Sequence, residues 1–297
     1  MEPLDTLLPP APLAPGLYVV ATPIGNLEDV TLRALRVLRD AHAIACEDTR
    51  LTVRLTQRYG LCRTLLPYHE HNARQALPGL LRRLAAGEVL ALVSDAGTPL
   101  VSDPGYRLVA AALEAGHPVV PIPGPSAVLA GLVGANLPTD RFFFAGFLPP
   151  RRAARLRALE ELATIPATLV FYEAPGRVAD ALADIATALG DRPACLAREL
   201  TKRHEEWRRG SATVLAESAA AEPPRGECVL LVAPPADDAG TPSAEDLDTL
   251  LRAALRHDSV RDAAAAVAEA TGLKRRAVYT RALELAQQID SSGEPGA

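Results

Sequence analysis

Three times within the first 130 residues a short apolar run breaks into a turn of Gly, Pro, Ser and Thr, after which apolar residues recur at helical spacing. Gly16 to Ala21 ends in Thr22-Pro23-Ile24-Gly25-Asn26-Leu27 and leads to Leu32, Leu35 and Leu38. Val89 to Val93 breaks into the loop Ser94 to Gly105, and Val119 to Ile122 into Pro123-Gly124-Pro125-Ser126-Ala127. Strand, turn, helix repeated in this way is the pattern of parallel β-α units. A run as uniformly apolar as Val89 to Val93 suits a strand buried on both faces, and in open α/β sheets ligands bind beyond the carboxyl ends of such strands. Asp103-Pro104 reads as an N-cap followed by a proline in the first helical position, predicting a helix to about Glu114 that Gly116 closes.

Punctuation along the chain divides it further. Residues 1–15 contain five prolines and few packing residues, which predicts a flexible arm. An N-terminal α/β domain is expected over 16–137, with helices near 32–39, 51–59, 72–86, 104–115 and 126–134. A second α/β domain is expected over 138–234, where β-formers recur at 142–144, 168–172, 194–199, 205–207 and 228–232. The close strand spacing around 199–213 predicts a hairpin, hence a mixed sheet. Residues 235–246 compose like an extended linker. The remaining 247–290 predict a helical module: Val260, Ala264, Val267 and Ala268 share one face, Thr271-Gly272-Leu273 makes a turn, and Val278, Leu283 and Leu285 continue the spacing, the outline of a helix-turn-helix.

Composition excludes several classes. No stretch approaches the roughly 20 apolar residues of a membrane span, and the N-terminus lacks the basic-then-apolar order of a signal peptide, so a cytoplasmic protein is expected. Cys46, Cys62, Cys195 and Cys228 are far apart, with no Cys-x-x-Cys pair, so neither a zinc site nor a disulfide framework is indicated. The net charge of −5 argues against a surface that binds polyanions everywhere. Local basic groups stand out instead: Arg151, Arg152, Arg155 and Arg157; Lys202, Arg203, Arg208 and Arg209; Lys274, Arg275 and Arg276. Each is either a solvated helix face or part of an RNA-binding surface.

Seven segments together resemble one family, the tetrapyrrole methylase-like methyltransferases, and within it the ribosomal RNA branch. They are Ala21 to Asp29, Cys46-Glu47-Asp48-Thr49-Arg50, Tyr68-His69-Glu70-His71-Asn72, Ser94 to Gly105, Pro123 to Ala127, Phe171-Tyr172-Glu173-Ala174-Pro175, and Ala197 to Lys202. The wider family often carries Gly-Asp-Pro in the central loop; Ser94-Asp95-Ala96 followed by Asp103-Pro104-Gly105 matches the ribosomal RNA branch. The resemblance implies a two-domain homodimer that uses S-adenosylmethionine to methylate a cytidine ribose 2′-hydroxyl of 16S ribosomal RNA in the small subunit. Matched motif by motif, it implies cofactor contacts from Pro23 and Ile24, Asp95 and Thr98, Ser126 and Ala127, and Phe171 and Tyr172.

The chemistry narrows the remaining candidates. A sulfonium is already an activated leaving group, so no metal is needed, but a ribose hydroxyl is a poor nucleophile that a base or an alkoxide-stabilising cation assists. Asp48, Glu199 and Lys202 lie at strand ends within motifs and are the catalytic candidates. Asp48 also reads as a helix N-cap, and Glu199 with Lys202 as an ion pair across a turn. His69 and His71, on one face if the segment is extended, point to RNA or polar contact rather than a metal. With Arg50, Arg151, Arg152, Lys274, Arg275 and Arg276 they form the expected RNA-binding set. Two other readings stay open: a methylase of the same fold acting on a tetrapyrrole or protein, and a non-catalytic ribosome- or RNA-binding protein.

Overall fold

The computed structural model describes residues 11–236, 244–273 and 275–292. Residues 1–10 of the expected arm, 237–243 of the expected linker, and Lys274 lie outside the described residues. Contacts divide the chain into two compact units, Met1–Leu162 with Ala167–Ala233, and Ala163–Pro166 with Pro234–Ala297.

The first unit holds two five-stranded sheets. Strands β1 (Gly16–Val20), β2 (Ala43–Cys46), β3 (Thr64–Pro67), β4 (Val89–Val93) and β5 (Val119–Ile122) form a sheet in the order β3-β2-β4-β1-β5. Every pair in it is parallel. One face is covered by Leu35, Leu38 and Leu55 and the other by Leu80, Leu84 and Leu108. Burial on both faces is why β2 and β4 read as unbroken apolar runs.

The second sheet is mixed, in the order β6 (Phe142–Phe147), β7 (Thr168–Glu173), β10 (Cys228–Val232), β8 (Pro193–Arg198), β9 (Glu206–Ser211). β6 and β7 run parallel, while β10 is antiparallel to both β7 and β8, and β8 and β9 form the expected antiparallel hairpin. Helix Ala127–Gly134 follows the first sheet yet packs Val128 and Leu132 onto Val170, Cys195, Val229 and Leu231 of the second. Gly131 makes that approach possible, since a Cβ there would lie 3.3 Å from Val229 Cγ1.

The second unit contains helices Ala244–Ala254, Val260–Thr271 and Arg275–Ser292. Its core is Leu251, Ala264, Val267, Ala268, Val278, Ala282 and Leu285. Ser259 caps the middle helix by accepting from Asp262 N at 3.2 Å, and Gly272 ends it in the left-handed conformation at φ 69°.

Four local expectations need correction. The helix expected from Pro104 starts at Tyr106, with Gly105 at φ 139° as its N-cap, because the chain first turns through left-handed Leu100 and Ser102. Arg155 is not a solvated cation: it is 4% exposed and bonded to the equally buried Asp184, which also accepts from Arg152. The His69–His71 segment is a turn rather than extended, because His69 O accepts from Asn72 N and Ala73 N as the next helix starts. Leu283 is 40% exposed, one helical step off the buried face that Val278, Ala282 and Leu285 share.

Candidate active site

The loops that follow the strands of the first sheet are tied to one another. Thr22 N donates to Gly97 O at 2.8 Å and Gly97 N returns a bond to Thr22 O at 3.0 Å, joining the loops after β1 and β4. Thr98 Oγ1 donates to Pro125 O at 3.2 Å, adding the loop after β5. Asp48 N donates to Asp95 Oδ1 at 2.9 Å, adding the loop after β2. The β8–β9 loop of the second sheet joins from the other side: Asn26 N donates to Thr201 Oγ1 at 3.1 Å, and a Cβ on Gly25 would collide with the Lys202 side chain. Five separate loops thus behave as one platform.

A cavity of about 310 Å³ opens between the carboxyl ends of the parallel strands and the near ends of β6, β7 and β10. Ile24, Gly97, Thr98, Ser126 and Ala127 line one side, and Phe147, Tyr172 and Val229 the other. Among the lining residues none is Lys, Arg or His, and three are acidic: Asp103, Glu173 and Glu227. Size, mostly apolar walls and a few convergent polar groups suit a small organic ligand. Ser126 also N-caps helix Ala127–Gly134, accepting from Leu129 N at 3.4 Å, so a helix N-terminus meets the cavity wall.

Of the expected cofactor contacts, Ile24, Thr98, Ser126, Ala127 and Tyr172 line this cavity. Pro23 and Asp95 line a smaller cleft with Leu51, Thr52 and Leu55, where the Asp95 carboxylate is engaged by the Asp48 amide. Phe171 is fully buried on the opposite side of β7, because adjacent strand residues face opposite ways. Its neighbour Tyr172 is the one that turns to the cavity, edge-on to Phe144 and Phe147 at centroid distances of 4.8 and 5.6 Å.

The three expected catalytic residues occupy different settings. Asp48 is the N-cap of helix Thr49–Arg58 and pairs with Arg50 at 2.6 Å, and those bonds hold its pKa down at about 2. Glu199 accepts from Lys202 Nζ at 2.8 Å, which keeps its carboxyl below the usual range. Lys202 Nζ donates a second bond to Glu227 Oε2 at 3.0 Å. Burial alone would lower the ammonium's pKa, but the two carboxylates outweigh it and the group stays charged above its ordinary value. Lys202 therefore reaches the cavity rim through Glu227 as a fixed cation, while Asp48 and Glu199 are weak bases.

Asp103 and Glu227 line the cavity but were not among the expected site residues. Burial, together with the charge of Glu47, raises the Asp103 pKa to about 6, with Asp95 adding to the rise and a Ser94 hydrogen bond opposing it. Tyr172 is pushed up by burial and by the charge of Asp103. Of the expected RNA-binding residues, Arg50, His71, Arg151, Arg152, Arg275 and Arg276 are exposed and His69 is half-buried. Arg275 and Arg276 open the last helix of the second unit, in the position expected of a basic helix start.

Comparison with known proteins accounts for this geometry. The family model of Tetrapyrrole (Corrin/Porphyrin) Methylases matches residues 16–216, and the RsmI C-terminal HTH domain matches 241–286. The chain is 51% identical over 292 residues to the ribosomal RNA small subunit methyltransferase I of Mesorhizobium japonicum, covering 98% of each. It is 45% identical to that of Pseudomonas aeruginosa over 90% of this chain and 96% of the relative. Among solved structures, uroporphyrin III C-methyl transferase from Thermus thermophilus superposes with a TM-score of 0.53 at 22% identity, over 73% of this chain and 96% of that one. Diphthine synthase gives 0.58 at 15% identity, over 73% and 89%. A matched family model over most of the two sheets and close relatives spanning nearly the whole chain make it a member of the tetrapyrrole methylase family, in the ribosomal RNA small subunit methyltransferase I group.

Proposed function

We propose that this methyltransferase transfers the methyl group of S-adenosylmethionine to the 2′-hydroxyl of a cytidine in 16S ribosomal RNA, acting on the small ribosomal subunit as a cytoplasmic homodimer. The observation that carries the reading is the cavity at the strand ends, whose described lining is acidic and holds no Lys, Arg or His, found in a chain whose relatives carry that name. Bound S-adenosylmethionine supplies an activated methyl on a sulfonium leaving group. Ile24, Thr98, Ser126, Ala127 and Tyr172 hold the donor, and the bonded loops beneath them keep it in line with the acceptor. Lys202, fixed between Glu199 and Glu227, stabilises the alkoxide that develops as the ribose hydroxyl loses its proton to water. Arg50, His69, His71, Arg151, Arg152, Lys274, and Arg275 and Arg276 at the start of the last helix meet RNA phosphate and ribose, a role suited to charged and polar side chains.

Labelled methyl transfer from S-adenosylmethionine to purified small subunits lacking the modification, followed by nucleoside separation, tests the reading. The expected product is 2′-O-methylcytidine. Transfer only to a tetrapyrrole or protein acceptor, or no donor binding, refutes it. Lys202→Ala is expected to lower turnover by a factor of about 100 or more while leaving donor affinity within a few-fold; equal losses in both would assign Lys202 to binding.

A further inference from the structure

We infer that the Asp103 carboxylate makes the cavity selective for the positively charged methyl donor over the neutral thioether that remains after transfer. The inference rests on the reading that the cavity takes S-adenosylmethionine. Each of the other two lining carboxylates has a cation of its own. Glu173 is paired with Arg177 at 2.8 Å and Glu227 with Lys202 at 3.0 Å. Among the described residues, no basic side chain pairs with Asp103. The groups that bear on it are Ser94 and Asp95 after β4, Glu47 after β2 and Tyr172 on β7, all neutral or acidic.

An unpaired carboxylate against apolar walls such as Ile24, Val101, Phe147 and Val229 is unfavourable unless something positive completes it. RNA phosphate cannot do so, since it carries the same sign as all three lining acids. The donor can. Its amino-acid end is zwitterionic, so its net positive charge resides on the sulfonium. When the carbon–sulfur bond breaks, sulfur keeps the electron pair, the methyl carbon bonds to the acceptor oxygen, the hydroxyl proton passes to water, and the sulfur is left neutral. A carboxylate that gains from the charge before transfer and not after it favours loading of the donor and release of the product.

Equilibrium titration of the full chain with S-adenosylmethionine and with S-adenosylhomocysteine tests this without any turnover. Asp103→Asn, close in shape but uncharged, is expected to weaken donor binding about tenfold and to leave thioether binding within about twofold; tenfold corresponds to about 1.4 kcal/mol. In the unsubstituted chain the donor-to-thioether preference is expected to rise between pH 5 and pH 8, and in Asp103→Asn that rise is expected to vanish. Equal loss of both ligands, no loss of either, or a preference in the unsubstituted chain that does not change with pH overturns the inference. The pH series needs no variant, so a preference that stays flat overturns the inference even if Asp103→Asn folds poorly. Failure of the unsubstituted chain to bind either ligand refutes the methyltransferase reading itself, an outcome distinct from an unchanged preference.

Discussion

The same unpaired acid has a consequence for stability that can be measured with no ligand present. Its pKa rises from 3.8 to about 6 on folding. At about 1.4 kcal/mol for each factor of ten in proton affinity, keeping Asp103 ionised in the folded chain costs about 3 kcal/mol. The side chain is only partly enclosed, and solvent screening reduces that to roughly 1.5 kcal/mol. The sign follows from where the proton is held. Below 3.8 both states are protonated and nothing is lost; between about 4 and 6 the folded state keeps the proton that the unfolded state releases; above about 6 the full cost is present. Asp103→Asn removes the charge, so its advantage over the unsubstituted chain should be near zero at pH 4 and complete above pH 7. For a unit of this size 1 kcal/mol moves the melting temperature by about 2–4 °C, giving an expected gain of about 3–6 °C at pH 7.5. Thermal unfolding followed by circular dichroism from pH 4 to pH 8 reads it directly. A difference between the two chains that stays constant with pH, or a less stable Asp103→Asn at pH 7.5, would show that Asp103 carries no such cost.

Three further outcomes follow from the site geometry. Phe171→Ala should cost about 3–5 kcal/mol of stability in chemical denaturation, as large-to-small core changes do, whereas Tyr172→Ala should cost less stability and weaken donor binding in titration; the reverse order would mean that β7 presents the other face to the cavity. Gly25→Ala puts a Cβ against the Lys202 side chain and should lower turnover by up to about 100-fold with Lys202 still present, seen in single-turnover rates, since displacement of a catalytic group by about 1 Å has effects of that size. Deleting residues 241–297 should raise the apparent RNA dissociation constant and leave donor titration unchanged; unaltered RNA binding would remove the helical module from the RNA-binding surface.

The periodic features were legible in the sequence because their causes are local. Asp48 caps helix Thr49–Arg58 with its own side chain, and double-sided burial writes β2 and β4 as unbroken apolar runs. The features that escaped depend on contacts between distant residues or on backbone conformations with no compositional mark. Asp-Pro-Gly reads as a helix start, yet Leu100 at φ 73° and Ser102 at φ 62° swing Asp103 into the cavity wall first, and neither residue type announces a left-handed turn. Arg155 looks like one more surface arginine until Asp184, 29 residues away, is seen to hold it inside. Phe171 and Tyr172 lie in one motif, and only the pairing of β7 with β10 decides which of them faces the ligand. Glu199 and Lys202 were legible as an ion pair, but the second carboxylate from Glu227 and the docking of Lys202 on Gly25 belong to tertiary structure.

Strain and uncompensated charge concentrate in the same two loops. Among the described residues five non-glycine positions have positive φ: Leu100, Ser102, Asn136, Glu199 and Thr201. Four of them lie in the loop after β4 and in the β8–β9 loop, the two segments that bring Asp103 and Lys202 to the cavity and its rim. Such conformations cost of order 1 kcal/mol or more each and persist only where surrounding contacts over-determine them. Here those contacts are visible, in the Thr22–Gly97 bridge, the Thr98–Pro125 bond and the Asn26–Thr201 bond. A fold selected for stability alone would relax both loops and pair Asp103 with a cation. Retaining them means that the bound donor should stabilise this chain by more than its contact area suggests, because it supplies the missing charge as well as the missing packing. That gain should therefore exceed the gain from S-adenosylhomocysteine by more above pH 7 than at pH 4.5, when the two ligands are compared at equal free concentration.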